Sequence, residues 1–264
     1  MPVSQKRRPK GTQFGGEYAP GVNPESTVDL TPNGLSTTNE EFRRLLQSAA
    51  TLQELVPDAV LVRGSAAVSY VGHRHSTDHD HILSDLSDQF DVVLEALESQ
   101  KGWITNRTVA HKLILGELGD IETGVRQLRR KSPLEVAEFE LSNGQRLRVP
   151  TPDETLRIKA YLVVARNKTR DYLDVAALSA WMGEERAARV LSLLDVFYED
   201  QHGDGDGVAS QVAVQLADPR PSDPSNTKNL RHYKRLHHHW QEWGHVREVC
   251  AEVADLMVAS RGGS

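Results

Sequence analysis

The stretch that decides the fold runs from residue 59 to residue 82 and reads AVLVRGSAAVSYVGHRHSTDHDHI. Its apolar start, residues 59–62, predicts a short buried strand that ends at Gly64 and Ser65. Residues 66–71 predict a helix, and residues 75–83 predict a second strand. The order is therefore strand, Gly-Ser turn, helix, and then a strand that contains Asp-x-Asp.

Asp78 and Asp80 are the candidate metal ligands of this stretch. Side chains alternate between the faces of a strand, so Ser76, Asp78 and Asp80 are expected on one face, with Cα atoms of the two aspartates roughly 7 Å apart. Magnesium prefers carboxylate oxygens together with substrate phosphates. Two such ions about 3.5–4 Å apart can clamp the attacking and leaving oxygens of a phosphoryl displacement. The pattern therefore predicts two Mg²⁺ ions on Asp78 and Asp80.

Gly64 and Ser65 are candidates for binding the phosphates of a nucleotide. A glycine lets the backbone approach a phosphate closely, and the amides at a helix N-terminus attract an anion. The Ser65 hydroxyl can add a donor. Ser76 and Thr77, which lie beside the aspartates, complete the predicted nucleotide-binding group.

Gly-Ser followed by Asp-x-Asp at this spacing resembles the signature of the DNA polymerase β nucleotidyltransferase superfamily. More closely, residues 64–82 together with TPDETLRIKAYLVVARNKTRDYLDVAAL (151–178) resemble the AbiEii toxin family of nucleotidyltransferases. The resemblance covers roughly residues 61–178. It implies a toxin of a type IV-like toxin–antitoxin or phage-defence system that uses an NTP, with a possible cognate antitoxin. It also implies transfer of an NMP to the 3′ end of tRNA, whereas a protein hydroxyl stays open as the acceptor.

The second motif supplies three further candidates on two predicted helices. Lys159 shares one helix face with apolar residues, where it can either extend to solvent or reach a triphosphate. The resemblance implies that Lys159 contacts the nucleotide. It makes Asp171 and Asp174 candidates for positioning the lysine or the substrate, although a structural ion pair with Arg166, Arg170 or Lys159 is an equal alternative.

The superfamily implies a third carboxylate on a later strand, and this sequence departs from a clean match there. We choose Glu122, which lies in the predicted strand 121–128, over its rivals Asp120 and Glu138. Such a group would accept the proton of the attacking hydroxyl as a general base.

Working outward, we expect an α/β (α+β) fold, with a mixed-sheet nucleotidyltransferase domain followed by a helical C-terminal domain. Residues 1–35 are rich in Gly, Pro, Ser and Thr and are expected to form a disordered arm. The α/β domain is expected over 36–150 and the helical domain over 151–264. Thr151 is expected to cap the first helix after Pro150, and residues 230–258 predict one long final helix.

The 264 residues carry a formal net charge of −6, which does not suggest a general nucleic-acid binder. The charge is nevertheless uneven, because residues 78–98 contain seven carboxylates and no lysine or arginine. Basic residues stand elsewhere and are candidates for RNA contacts: Arg126, Arg129, Arg130 and Arg235.

The sequence contains no apolar run of about 18 residues, so no membrane-spanning helix or membrane partner is expected. The single cysteine, Cys250, excludes an internal disulfide and favours a reducing cytoplasm. His79 and His81 face away from the aspartates in the predicted strand, which argues against a mixed zinc site. Two other functions stay open, namely a catalytically idle module that binds nucleotide or a partner, and a metal phosphohydrolase that uses the histidines.

Overall fold

The computed structural model describes residues 36–201, 206–233 and 235–262. The predicted arm, residues 1–35, lies outside the described residues. The predicted α/β fold class is confirmed, because a mixed sheet with its helices occupies the first half and helices follow residue 150. The division into domains at 150 stays a prediction. None of the described helices is both long and apolar enough to cross a membrane.

The first half contains three helices and seven strands. The helices are α1 (Ser36–Leu55), α2 (Arg63–Val71) and α3 (Leu86–Glu98). The strands are β1 (Val60–Val62), β2 (His79–Leu83), β3 (Trp103–Val109), β4 (Leu113–Leu118), β5 (Ile121–Gln127), β6 (Val136–Glu140) and β7 (Arg146–Pro150). The five-stranded sheet has the order β1-β2-β5-β4-β3, in which β2 and β5 are parallel and the other pairs antiparallel. Strands β6 and β7 form a separate hairpin.

The second half is helical, with α4 (Pro152–Arg166), α5 (Thr169–Met182), α6 (Glu184–Ser192), α7 (Leu194–Phe197), α8 (Val208–Ala217), α9 (Pro224–Lys228) and α10 (Trp243–Gly262). Helix α4 begins as expected, since the Thr151 side chain accepts a hydrogen bond from the Glu154 amide. Ala67 of α2 is buried in the same apolar cluster as Leu156 of α4 and Leu173 of α5. Helix α2 therefore packs the sheet-bearing half against the helical half.

One expectation about local structure is wrong, and one helix was not predicted. The final helix begins at Trp243, because residues 230–232 and 238–240 form short 3₁₀ turns and Arg235 has a left-handed φ of 45°. The amide of His237 bonds to the carbonyl of His73 instead of continuing a helix. The sequence reasoning also missed α8, although Val208, Val212 and Leu216 have helical spacing.

The two faces of the five-stranded sheet differ in what they carry. His79, His81 and Leu83 alternate along β2 toward the face covered by α1 and α3, where Leu83 and Val125 join an apolar cluster. His79 contacts Ser48 of α1 through Nε2 and Thr123 of β5 through Nδ1. Asp80 lies on the opposite face, which leaves the acidic residue on the side away from α1.

The buried histidines predict a fold that weakens in mild acid. Burial lowers the pKa of His79 to about 4, and burial together with the neighbouring His79 lowers the pKa of His81 well below its usual value. An unfolded chain has histidine pKa values near 6.5 and therefore binds protons that the folded chain refuses. The contribution of these buried neutral histidines to the free energy of unfolding is complete above about pH 6.5, and it is lost as the pH falls toward about 4.

We expect both histidines to reduce the free energy of unfolding between about pH 6.5 and pH 5, with His79 contributing about 1.5 kcal/mol of the loss. Urea unfolding at stepped pH, followed by circular dichroism, measures this slope. His79→Gln should remove about half of the slope, whereas the exposed His238→Gln should leave it unchanged. A pH-independent urea midpoint over this range would contradict the expectation.

Candidate functional site

Asp78 and Asp80 converge on one point at the N-terminal end of β2. Nη1 of Arg63 lies 2.6 Å from Oδ2 of Asp80 and 3.5 Å from Oδ2 of Asp78. The expected strand over 75–83 is shorter than predicted, because β2 begins at His79 and Asp78 lies in the preceding loop. The two carboxylates therefore meet, although only Asp80 is held by strand geometry.

Asp80 is enclosed by two arginines. Arg63 pairs with Oδ2, and Nε of Arg126 donates a hydrogen bond to Oδ1 over 3.1 Å. The Asp80 side chain is only 4% exposed, whereas Arg63 and Arg126 are each about one-third exposed at 33% and 34%. Burial raises the pKa of Asp80, and the two guanidinium groups oppose that rise.

The loop before β2 is held by serine hydroxyls. Ser65 is fully buried at 0% exposure, and its Oγ donates to the carbonyl oxygen of Asp78 over 2.6 Å. The Ser76 hydroxyl lies 3.0 Å from that of Ser65. The Ser65 proton therefore serves the Asp78 carbonyl, and the contact of Ser65 with a phosphate stays a prediction. Ser65 positions the loop that carries Asp78.

Gly64 is required by a buried arginine. A Cβ placed on Gly64 would come within 2.5 Å of Nη2 of Arg74, so any side chain there would displace the guanidinium. Arg74 also donates to the His75 carbonyl over 3.1 Å. The glycine thus makes room for Arg74 behind the Gly-Ser turn, which is a packing role that the sequence analysis did not foresee.

Lys159 and Asp174 form the centre of a buried ionic cluster. Nζ of Lys159 lies 2.9 Å from Oδ2 of Asp174, and both side chains are almost completely buried. Arg74 binds the same carboxylate through Nε at 2.8 Å and Nη2 at 3.0 Å. His73 lies 2.8 Å from Oδ1 through Nε2, and an ionised carboxylate requires that this nitrogen carry the proton.

The electrostatics of this cluster show the charge partners of Lys159. Burial by itself would raise the pKa of Asp174, but Arg74 and Lys159 hold it well below its usual range. Burial lowers the pKa of Lys159, and Asp174 opposes that shift. Because the ammonium pairs with Asp174, Lys159 is a charge partner in this cluster, and its contact with a nucleotide stays a prediction. His73 and Arg74 serve the same carboxylate.

Asp171 is a separate structural pair rather than a member of the site. Its carboxylate is buried and receives both Nε and Nη2 of Arg166. This is the structural alternative that the sequence had left open. Asp171 and Asp174 therefore lie on one helix, α5, but have different partners.

Glu122 is the best placed of the candidates for the third carboxylate. In the parallel pairing Asp80 stands beside Gly124, and Oδ1 of Asp80 lies 3.5 Å from where a Gly124 Cβ would be. Alternation along β5 therefore places Glu122 and Arg126 on the face of Asp80. Glu122 is exposed, and continuing the register sets it beside Asp78.

The two rivals are engaged elsewhere. Asp120 pairs with Arg44 over 3.2 Å at the surface. Glu138 belongs to the β6–β7 hairpin, where it pairs with Arg146 over 3.8 Å. The choice of Glu122 as general base stays a prediction.

An open cleft of about 490 Å³ lies beside the loop before β2, and Glu41, Arg44 and Leu45 of α1 form part of its wall. Ser76 and Thr77, which precede Asp78, form part of its lining together with His75. Its lining also includes Arg44, Asp120 and Arg235. The predicted nucleotide-binding pair Ser76 and Thr77 thus borders a space next to the loop that carries Asp78, although neither Asp78 nor Asp80 lines that space.

The four arginines expected to bind RNA do not form one surface. Arg126 pairs with Asp80, and Arg130 is buried against Glu154 at 2.8 Å. The charges of these two arginines are paired within the fold, and their contact with RNA stays a prediction. Arg129 is exposed, and Arg235 is 72% exposed near Glu41 at 3.7 Å.

The residues present fit a divalent cation if Arg63 gives way. The meeting point of the two Oδ2 atoms already holds a cationic nitrogen, which shows that this position suits positive charge. Magnesium binds through one or two carboxylates together with waters and substrate phosphates. Among the described residues, no group of three or more His, Cys, Asp or Glu is arranged to hold a metal. The predicted two-ion site stays a prediction.

Arg63 is the residue of this site that the sequence reasoning missed. It directly precedes Gly64. Only one other arginine or lysine, Arg74, stands between it and the acidic stretch 78–98, which contains neither residue. A lone basic group at the end of a strand, facing two uncompensated aspartates, is the signal that could have identified it.

No family model matches the chain, although it is similar to several known proteins. A probable transport protein from Mycobacterium bovis, MmpL11, is 30% identical over 238 residues, which cover 83% of this chain. The chain spans only 23% of the length of that relative.

The solved structures that are similar to this chain include nucleotidyltransferases. An antigenic nucleotidyltransferase-like protein from Paracoccidioides brasiliensis has a TM-score of 0.40 and 14% identity, covering 61% of this chain and 89% of that one. The antibiotic-resistance factor ANT(2″)-Ia has a TM-score of 0.43 and 13% identity, covering 60% and 93%.

Asp174→Asn tests the structural role of the buried cluster. Removing the charge leaves Lys159 and Arg74 buried without their counter-ion, and we expect a loss of about 3–5 kcal/mol in the free energy of unfolding. Urea unfolding measures the loss. Asp120→Asn, which breaks an exposed pair, should cost no more than about 1 kcal/mol. Equal stability of the two variants would show that the cluster is not structural.

Proposed function

We propose that this chain is a Mg²⁺-dependent nucleotidyltransferase that moves an NMP from an NTP to an acceptor hydroxyl. The observation that supports this most directly is the convergence of Asp78 and Asp80 on a single cation position. The loop that carries Asp78 also supplies Ser76 and Thr77, which line a neighbouring cleft. A bound divalent cation would neutralise phosphate charge at this point.

The chain's own residues supply positioning. Ser65 holds the Asp78 carbonyl, and β5 holds Asp80 through the parallel register. The Thr77 hydroxyl offers a donor to a nucleotide in the cleft, whereas the Ser76 hydroxyl already contacts the Asp78 carbonyl and the Ser65 hydroxyl. Glu122, on the same face, would take the proton from the acceptor hydroxyl. Fixed placement of the reactants and of charge accounts for most of the catalysis in such a site.

The acceptor that we propose is the 3′ end of tRNA. The exposed Arg129 and Arg235 support an RNA acceptor, although Arg126 and Arg130 are occupied within the fold. A protein hydroxyl is the alternative acceptor, and the same experiment separates the two.

A second candidate is a nucleotide- or partner-binding module without catalysis. The pairing of both Asp80 oxygens with Arg63 and Arg126 favours it, as does the commitment of Lys159 to Asp174. Nucleotide binding without release of pyrophosphate would identify this function.

Incubation with total tRNA and each α-³²P-labelled NTP in Mg²⁺ tests the transferase. We expect label in RNA and release of pyrophosphate, and a loss of about 100-fold or more in Asp78→Asn. The matched control is Asp91→Asn, an exposed aspartate of α3, which should keep the wild-type rate. Label in protein would move the acceptor to a protein hydroxyl. Absence of label and of pyrophosphate, with folded protein, would contradict nucleotidyl transfer.

A toxin role predicts that induced expression stops bacterial growth through the same site. Wild-type chain should arrest growth, whereas Asp78→Asn at equal protein level should not, because the arrest requires transfer. Colony counts after induction measure the effect, with Asp91→Asn as the control that stays toxic. Growth arrest by both Asp78→Asn and wild type would separate toxicity from the transferase site.

A further inference from the structure

Arg63 occupies the point at which the two aspartates meet. One nitrogen, Nη1, lies 2.6 Å from Oδ2 of Asp80 and 3.5 Å from Oδ2 of Asp78. One oxygen of each carboxylate, Oδ2, therefore faces the shared position. A divalent cation that uses both aspartates would need this position and would be repelled by a guanidinium beside it.

Arg126 does not compete for the same position. Its Nε contacts Oδ1 of Asp80, which is the oxygen away from Arg63. Arg126 can therefore continue to hold Asp80 while the Oδ2 side changes its partner. Arg63 is the one of the two that stands between the carboxylates.

The backbone at Arg63 supports a dedicated role for its side chain. Arg63 has a φ of 63°, in the left-handed region that glycine adopts without strain and that residues with a Cβ rarely adopt. Its side chain is 33% exposed, so an outward path to solvent is open. A strained backbone thus presents a partly exposed cation to the aspartates.

We propose that Arg63 is the resident cation of the Asp78–Asp80 pair and that a divalent cation binds there only by displacing it. Arg63 therefore sets the metal affinity of the site. The inference rests on the proposed function for the identity of the cation, but its test is a binding measurement that needs no catalysis.

The probe is Mn²⁺, with free ion counted by electron paramagnetic resonance in titrations of the full chain. Arg63→Gly and Arg63→Gln should bind Mn²⁺ at least about 10-fold more tightly than wild type, because the competing charge is gone. Arg63→Gly also suits the backbone, which protects the test against misfolding. Arg63→Lys keeps a cation and should bind as weakly as wild type.

Two further variants assign the effect to this position. Arg148→Gln removes an arginine of similar exposure, 30%, that pairs with Asp58, and it should leave the Mn²⁺ affinity unchanged. Adding Asp80→Asn to Arg63→Gly should abolish the gain. Unchanged affinity in folded Arg63→Gly and Arg63→Gln, or an equal gain in Arg148→Gln, would overturn the proposal.

The outcome separates this inference from the proposed function. Tighter Mn²⁺ binding in the Arg63 variants without nucleotidyl transfer by the wild type would support the inference and count against the transferase. Transfer by the wild type with no gain in the variants would support the transferase and overturn the role of Arg63.

Discussion

The rest of the site depends on the contacts that the buried carboxylate of Asp174 makes with its charged and polar partners. It belongs to α5 of the helical half, yet its partners Arg74 and His73 belong to the loop between α2 and β2. Arg74 in turn lies against Gly64 at the start of α2. One carboxylate therefore ties the helical half to the turn beside which Asp78 and Asp80 lie.

Burial of these charged groups carries a desolvation cost that the contacts must offset. Charges that leave water must be compensated by geometry and hydrogen bonds, and Asp174 receives Lys159, Arg74 and His73 on its two oxygens. With His73 neutral, because burial lowers its pKa against the opposing effect of Asp174, two cations share one anion. Asp171 lies about one helical turn away on α5 and has its own partner, Arg166 of α4.

Side chains alternate along β2, so the residues that pack against α1 and the candidate metal ligand lie on opposite faces of the strand. His79 and His81 point to α1 on one face, where burial keeps them neutral, and Asp80 points to the other. The same alternation on β5 sets Thr123 against His79 and places Arg126 against Asp80. A shift of one residue would bury the carboxylate under α1, so the register is strongly constrained.

The sequence by itself determined the order of elements from β1 to β2, the mixed α/β class and the cap at Thr151, because periodicity and turn chemistry act over a few neighbouring residues. It also identified Asp78 and Asp80 as a pair. It did not determine their charge partners, since Arg63 and Arg126 lie 17 and 46 positions from Asp80. Only the tertiary structure decided that Lys159 belongs to Asp174, that Ser65 holds a backbone carbonyl, and that Gly64 makes room for Arg74. These pairings come from parallel strand register and helix packing, which bring together residues that are distant in the chain.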